Sequence, residues 1–322
     1  MSDNSKIEWT DATWQPITGC SIASPGCTNC YAMRLAGTRL NDHPSRAGLT
    51  KCINGNHVWT GEVRFNEKWL TQPLRWRKPR KIFVCAHGDL FHDSVPDGWI
   101  DRVFAIMALA PQHTFQVLTK RSKRMHKYLT GAPWGAIEDA ADEILTGGNP
   151  FHVPETLDRA KAATAINRRP LPNVLLGVSA EDQKRADERI PDLIATPAAK
   201  RFVSIEPMLG PVDLTKMFFN PAEFKELLHL VICGGESGPG ARPMHPAWPR
   251  GLLDQCKAAG VPFFFKQHGA WLCGRDDNGN IDFGCARMHV FDDEESTFHV
   301  GKKAAGRMLD GEEHNGMPED TP

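Results

Sequence analysis

Ile82-Phe83-Val84-Cys85-Ala86-His87-Gly88-Asp89 is a short apolar run that stops abruptly on polar residues. The pattern recurs along the chain. Thr114-Phe115-Gln116-Val117-Leu118 stops at Thr119-Lys120-Arg121, and Val174-Leu175-Leu176-Gly177-Val178 stops at Ser179-Ala180-Glu181-Asp182. Arg201-Phe202-Val203-Ser204-Ile205 stops at Glu206-Pro207, and Leu228 to Cys233 stops at Gly234-Gly235-Glu236. Val261-Pro262-Phe263-Phe264-Phe265 stops at Lys266-Gln267-His268. Helical spacing occupies the gaps at Asp101 to Ala110, residues 182–195 and Pro246 to Ala259, while residues 122–172 read as helix and insertion.

Short apolar runs alternating with helices are the pattern of a parallel sheet buried on both faces. A further strand from Trp14 to Ile17 brings the count to seven. That number predicts an α/β fold with a parallel (β/α) barrel, complete or partial, of the TIM-barrel kind; a doubly wound sheet is the alternative. Polar residues close nearly every run at its C-terminal end, the face of a parallel barrel on which active sites form. Asp89, Lys120, Arg121, Ser179, Glu206, Glu236, Lys266 and Gln267 are therefore expected to converge. One polar strand end is ordinary, because strand ends meet solvent; the weight lies in the repetition.

The second informative stretch is Gly19-Cys20-Ser21-Ile22-Ala23-Ser24-Pro25-Gly26-Cys27-Thr28-Asn29-Cys30-Tyr31-Ala32. Its three cysteines are spaced C-x6-C-x2-C among small and turn-forming residues, which lets three thiols fold toward one point. Soft thiolates select zinc, copper(I) or an iron–sulfur cluster. A structural zinc site closes with four ligands, and a cubane needs one ligand per iron, so three cysteines leave one corner open. A zinc knuckle completed by a distant Cys or His, and buried thiols acting as small apolar side chains, are the alternatives. A disulfide fits less well, since the nine cysteines are an odd number and no secretory leader precedes them. Apolar residues at 31, 32, 35, 36 and 40 predict a helix starting just after Cys30, whose free amides and positive end would face the loop.

The opening Ile7-Glu8-Trp9-Thr10-Asp11-Ala12-Thr13-Trp14-Gln15-Pro16-Ile17-Thr18-Gly19-Cys20, with this loop after it, resembles the phage Gp37/Gp68 family, also catalogued as DUF5131. That family is placed in the radical S-adenosylmethionine (SAM) superfamily. The resemblance continues through Gly88-Asp89-Leu90-Phe91-His92, Gln116 to Arg121, Leu176-Gly177-Val178-Ser179, Glu206-Pro207, Gly234 to Gly238 and Phe264-Phe265-Lys266-Gln267. It covers nearly the whole chain. The first cysteine gap is longer than the commonest radical SAM spacing, C-x3-C-x2-C, and Asn29 stands where an aromatic residue usually precedes the last cysteine.

The resemblance implies a barrel of the radical SAM type with a 4Fe-4S cluster held by Cys20, Cys27 and Cys30. SAM would bind the open iron, and an external one-electron reductant would drive its cleavage to a 5′-deoxyadenosyl radical. Within that frame Tyr31 would lie near the adenine, and Gly88 and Asp89 would serve the SAM amino group. Lys120 or Arg121 would meet its carboxylate or a substrate phosphate, and Ser179 and Glu181 the ribose hydroxyls. Glu206, Glu236 and Lys266 would face substrate as catalytic groups, with Gly234-Gly235 letting backbone approach a ligand. Arg242 would anchor a loop, and Cys85 or Cys233 would donate a hydrogen atom unless each is a buried thiol.

Composition sets looser bounds. The 322 residues are 41% hydrophobic and 24% charged, ordinary for a globular chain. One domain over residues 1–300 is expected, followed by a polar tail, 301–322, frayed or draped on the surface. No run of about 18 apolar residues would span a membrane, and Met1 to Lys6 lacks the apolar core of a secretory signal, so a reducing cytoplasm is the expected location. Net charge near −1 gives no global pull on nucleic acid. Local basic stretches, Arg75–Lys81 with Trp69 and Trp76 nearby and Lys120–Lys127, suggest a nucleic acid or nucleotide substrate, as does the phage association. A helix covering the sheet with its charges in water accounts for the first of them equally well. The runner-up function is a non-catalytic, zinc-stabilised nucleic-acid-binding protein. Residues 41–61 read as loop with Cys52 unassigned, and Cys273 and Cys285 flank a turn-rich Asp276–Asn280 segment that would bind a second metal or merely pack.

Overall fold

The computed structural model describes residue 5 and residues 7–146, 153–154, 157, 164–273, 286–293 and 295–319. Seven strands form one sheet: β1 (Ala12–Trp14), β2 (Lys81–Val84), β3 (Thr114–Thr119), β4 (Val174–Ser179), β5 (Lys200–Ile205), β6 (Leu230–Gly234) and β7 (Phe263–Gln267). They lie side by side in chain order and every pair is parallel. A doubly wound sheet reverses its strand order partway; this one never does. Right-handed crossovers with sequential order put every helix on the same face and curl the sheet. The result is a half-barrel, the partial form of the expected architecture.

Side-chain alternation separates the two faces. Outward residues Ile82, Val84, Phe115, Val117, Leu176, Val178, Val203, Ile205, Val231, Cys233, Phe263 and Phe265 join the main core. The helices that cover them include α2 (Asp97–Leu109), α3 (Ser122–Thr130), α5 (Gln183–Ala195), α6 (Pro221–Leu227) and α7 (Ala247–Ala259). Helix α2 is apolar nearly all round because α4 (Trp134–Thr146), from the 122–172 insertion, packs on its far side. The inward positions are fewer. Leu175, Phe202, Leu230, Ile232 and Phe264 form a separate cluster with Trp9, which enters from the segment ahead of β1. This plug fills the lower part of the concave face, and polar residues take over above it.

The plug explains Gly177. A Cβ there would sit 2.4 Å from the ring of fully buried Phe202. Gly177→Ala is expected to cost about 1–3 kcal/mol by overpacking, seen as a lower melting temperature by circular dichroism; an unchanged melt would show that the ring has room to move.

The first strand lies two residues earlier than its apolar pattern suggests. Pro16 has no N–H to donate, so the parallel ladder ends at Trp14, and Ile17–Thr18 pairs instead with Arg64–Phe65. The stretch 41–61 holds a hairpin, Thr50–Ile53 against Asn56–Trp59, closed by Asn54-Gly55 with both residues at positive φ. Asn-Gly is the strongest short hairpin signal, and the pairing corrects the reading of 41–61 as loop. Residues 314–316 run antiparallel along β7: Phe265 N–H donates to His314 O at 2.9 Å and Gly316 N–H to Phe263 O at 2.9 Å. The tail thus covers a sheet edge that would otherwise be open. Trp271–Cys273, Ser296–His299 and Met288–Val290 form a small antiparallel sheet beside it. Cys285 and the Asp276–Asn280 turn lie outside the described residues.

Candidate functional site

A cavity of about 380 Å³ opens at the C-terminal ends of the strands. Trp9, Phe83 and Leu118 line its apolar side, and residues ending β3, β4, β5 and β7 supply polar walls. Cys20, Cys27 and Cys30 all line it, on the loop between β1 and α1 (Tyr31–Gly37).

Local backbone explains the loop's path. Gly19 has φ +96°, and a Cβ there would lie 2.2 Å from Glu62 O, so only glycine fits. Gly19 bridges Gly88 as an extra rung beyond β2, and a Cβ on Gly88 would meet Ile17 O at 3.0 Å. Gly88 therefore has a packing role against the loop's first residues. The chain next makes a 3-10 turn at Pro25–Cys27, and α1 begins directly after Cys30, as its spacing predicts.

Burial pushes the Cys20 thiol up to about 12, and the charges of Asp89, Cys27 and Cys30 add to this against Arg121. Burial also raises Cys30, opposed by hydrogen bonds from the Met33 and Ala32 amides in the first turn of α1. Among the described residues no three His, Cys, Asp or Glu side chains stand close enough together to hold a single metal ion.

Three strand-end carboxylates turn out to hold this loop. Asp89 Oδ1 accepts from Thr119 Oγ1 (2.7 Å) and Phe91 N–H (3.0 Å), and its Oδ2 from Arg121 Nη1 (2.9 Å) and Lys120 N–H (3.2 Å). Those four donors fill the carboxylate, and Arg121 carries the connection on to Ser21 Oγ (2.7 Å), Ser21 O (3.1 Å) and Cys20 Sγ (3.6 Å). Glu181 is fully buried and does not line the cavity. It accepts from Arg189 Nη1 (3.2 Å) and from the Gly26 amide (3.3 Å). Burial would raise its pKa, but Lys120, Ser24, Arg189 and the Gly26 amide outweigh that and hold it below its ordinary value.

Glu236 Oε2 accepts from Asn29 Nδ2 (2.8 Å), Arg242 N–H (2.9 Å) and Arg242 Nε (2.8 Å), and Oε1 from Arg242 Nη2 (2.5 Å). Arg242 Nη1 also donates to Pro25 O at 3.0 Å. Asp89 and Glu236 line the cavity with their oxygens occupied by these bonds, and Glu181 lies behind its wall; the expected roles of Asp89 at an amino group, Glu181 at a ribose and Glu236 at substrate would each require these contacts to be exchanged. The loop-anchoring role read for Arg242 agrees with its contacts.

Two further pairs also line the cavity. Lys120 Nζ lies 2.5 Å from Ser179 Oγ and 3.6 Å from Glu181 Oε2. Lys266 Nζ lies 2.6 Å from Glu206 Oε1, both side chains mostly buried. Tyr31 is 50% exposed, lines the cavity, and donates its hydroxyl to Ala86 O at 2.7 Å. Ser204 and Ser237 line the wall as well and carry no sequence signal beyond their position in or after a strand.

Other expectations separate. Cys85 is buried at the cavity wall, whereas Cys233 points outward into the core with its thiol 3.6 Å from Met208 Sδ. A hydrogen-donor role for Cys233 is therefore ruled out by placement. At Gly235 a Cβ would fall 2.0 Å from His268 O, so its small size serves strand packing rather than a ligand. Arg75–Lys81 precedes β2 and lies at the opposite end of the sheet from the cavity, with Trp76 buried under Arg80. Ser21 and Gly26, to which the sequence assigned no role, and Asn29, noted there only for its departure from the usual aromatic, prove to be the loop's anchoring points.

No curated protein and no solved structure matches the chain. The sequence profile described as "Protein of unknown function (DUF5131)" matches residues 4–318. With that match spanning nearly its whole length, and the fold and loop anchors continuous across the same residues, the chain belongs to the DUF5131 family.

Proposed function

We propose that the protein is a radical SAM enzyme. The observation that carries the reading is three cysteines on one tightly anchored loop, all facing a cavity at the C-terminal mouth of a parallel half-barrel. A cubane spreads its thiolates over separate irons, whereas one zinc ion draws its ligands close, about 2.3 Å from the metal. The location of the basic Arg75–Lys81 stretch, at the end of the sheet away from the cavity and with Trp76 buried, counts against the zinc-stabilised nucleic-acid-binding reading.

Cys20, Cys27 and Cys30 would hold a 4Fe-4S cluster, which would supply the electron, drawn from an external reductant, for reductive cleavage of SAM to methionine and a 5′-deoxyadenosyl radical. The chain's own part is binding, orientation and exclusion of water. Lys120, 3.6 Å from the Glu181 carboxylate, presents a charge for a carboxylate or phosphate. Ser179 is held by Lys120 and donates to Glu206 O at 3.2 Å, which fixes β4 against β5 at the cavity wall. Glu206 and Lys266 neutralise each other across the substrate side, so a polar substrate would exchange partners with them. The Trp9, Phe83 and Leu118 surface keeps one wall dry. The protein would work in a reducing compartment on a nucleotide or nucleic acid; no helix among the described residues is long and apolar enough to cross a membrane.

Anaerobic reconstitution with iron and sulfide tests this. The protein is expected to turn brown, absorb near about 400 nm as thiolate-bound iron–sulfur clusters do, and release 5′-deoxyadenosine from SAM on reduction. A colourless protein binding one zinc would sink the reading.

A further inference from the structure

The half-barrel leaves a gap between its first and last strands, and one ion pair crosses it. Glu8, four residues ahead of β1, lies 3.4 Å from Lys302 Nζ. Lys302 belongs to the short helix Lys302–Ala305, which is tied to β7 by His268 N–H donating to Gly306 O at 3.2 Å. A second hollow of about 370 Å³ lies on this side, and Glu8, Lys266, Gln267 and Lys302 line both it and the main cavity. The two spaces thus meet at the Glu8–Lys302 pair.

The charged side chains lining the second hollow are mostly cationic. Its lining carries Lys266, Lys302, Lys303 and Arg307 against Glu8 alone. Lys302 and Lys303 are exposed, and Lys303 has no ion pair among the described residues. Arg307 is tethered by Glu313 at 3.3 Å and donates to Asn315 Oδ1 and to Phe265 O at 3.5 Å, yet its Nε is buried without a partner. Lys266 is held by Glu206 and Arg307 by Glu313, which leaves, among the described residues, Lys303 and a Lys302 held only by Glu8 beside the reaction cavity; two such cations suit a doubly charged, oxygen-rich group better than a neutral one.

We propose that this hollow is a phosphate subsite. A phosphate ester of the substrate sits among Lys302, Lys303 and Arg307 while the reacting carbon lies in the main cavity, and Glu8 gives up Lys302 as the phosphate arrives. The phosphate belongs either to a free nucleotide or to the backbone of a single strand threaded through the gap. The proposal rests on the enzyme reading for what happens next, but not for binding, which is measured without a reaction.

The test is fluorescence anisotropy of a fluorescein-labelled oligothymidylate with the purified full chain, competed by adenosine monophosphate, inorganic phosphate or polyglutamate. Lys302→Glu with Lys303→Glu is expected to weaken strand binding by about tenfold or more and to flatten its salt dependence by about 1.4 in log–log slope. Glu8→Gln is expected to tighten it. Equal competition by the monophosphate assigns the site to free nucleotides, and competition only by strands assigns it to a backbone phosphate; both support the subsite. Unchanged affinity in all variants with an unchanged melt, or stronger competition by polyglutamate, overturns it. A wild-type chain that releases 5′-deoxyadenosine but binds neither strand nor monophosphate removes the subsite alone; a wild-type chain that binds without release removes the radical reading alone.

Discussion

Cys27→Ala is expected to abolish SAM cleavage. Release of 5′-deoxyadenosine should fall by about a thousandfold or more, roughly 4 kcal/mol of barrier. Cys27 ends the Pro25–Cys27 turn, is buried, and faces the cavity with Cys20 and Cys30. Alanine keeps the turn and removes only the sulfur, so the melt should move little while bound iron is lost. Cys52→Ala is the control: that thiol is exposed on the Thr50–Ile53 strand, away from the loop, and its loss should leave release unchanged. Full release from Cys27→Ala would mean that the three thiols are not the ligand set.

The sheet was legible because its information is local. Each of the seven strands is a few apolar residues bounded by polar ones, and a buried parallel strand needs nothing else. The position of the site was legible for the same reason, since strand ends carry their polar residues in sequence. The roles of those residues were not. Asp89, Glu181, Glu206 and Glu236 look alike in sequence, each a carboxylate just past an apolar run. What separates them is whether an arginine reaches them: Arg121, Arg189 and Arg242 take three, and Glu206 is left to Lys266 in the cavity. Arg121 lies 32 residues from Asp89, so its pairing follows from the fold. Arg189 is eight residues from Glu181 on α5 and Arg242 six from Glu236; neither spacing is a recognised signal.

This division gives the loop an unusual mechanical basis. Its residues are mostly small and bury little, so burial alone would hold it weakly. Charge-assisted hydrogen bonds anchored on buried carboxylates at the ends of β2, β4 and β6 fix it instead: Arg121, held by Asp89, donates to Ser21, Glu181 accepts from the Gly26 amide, and Glu236 accepts from Asn29. Preorganised thiols are what a cluster site needs, since a ligand loop left free would have to be ordered on binding.

Glu236→Gln tests that basis directly. Glutamine preserves the shape but lacks the charge that joins Arg242 and Asn29. The variant should lose about 2 kcal/mol, the range for hydrogen bonds to a charged group; a complete buried-pair penalty is not expected, because Arg242 is a third exposed and can turn to water. Iron retention against a chelator should fall by about 10–100-fold, as when a group supporting a metal ligand is removed. The pH dependence fixes the sign. Burial raises the Glu236 pKa, but Arg242 and Asn29 lower it more, leaving it below its ordinary value. Its stabilising contribution is therefore complete above the unfolded carboxylate range, about pH 4.3, and is lost as pH falls through the lower folded value. Urea melts from pH 7 down to pH 3 should show wild type and Glu236→Gln converging at the acid end. A gap that stays constant across that range would mean the carboxylate's charge does not hold the loop.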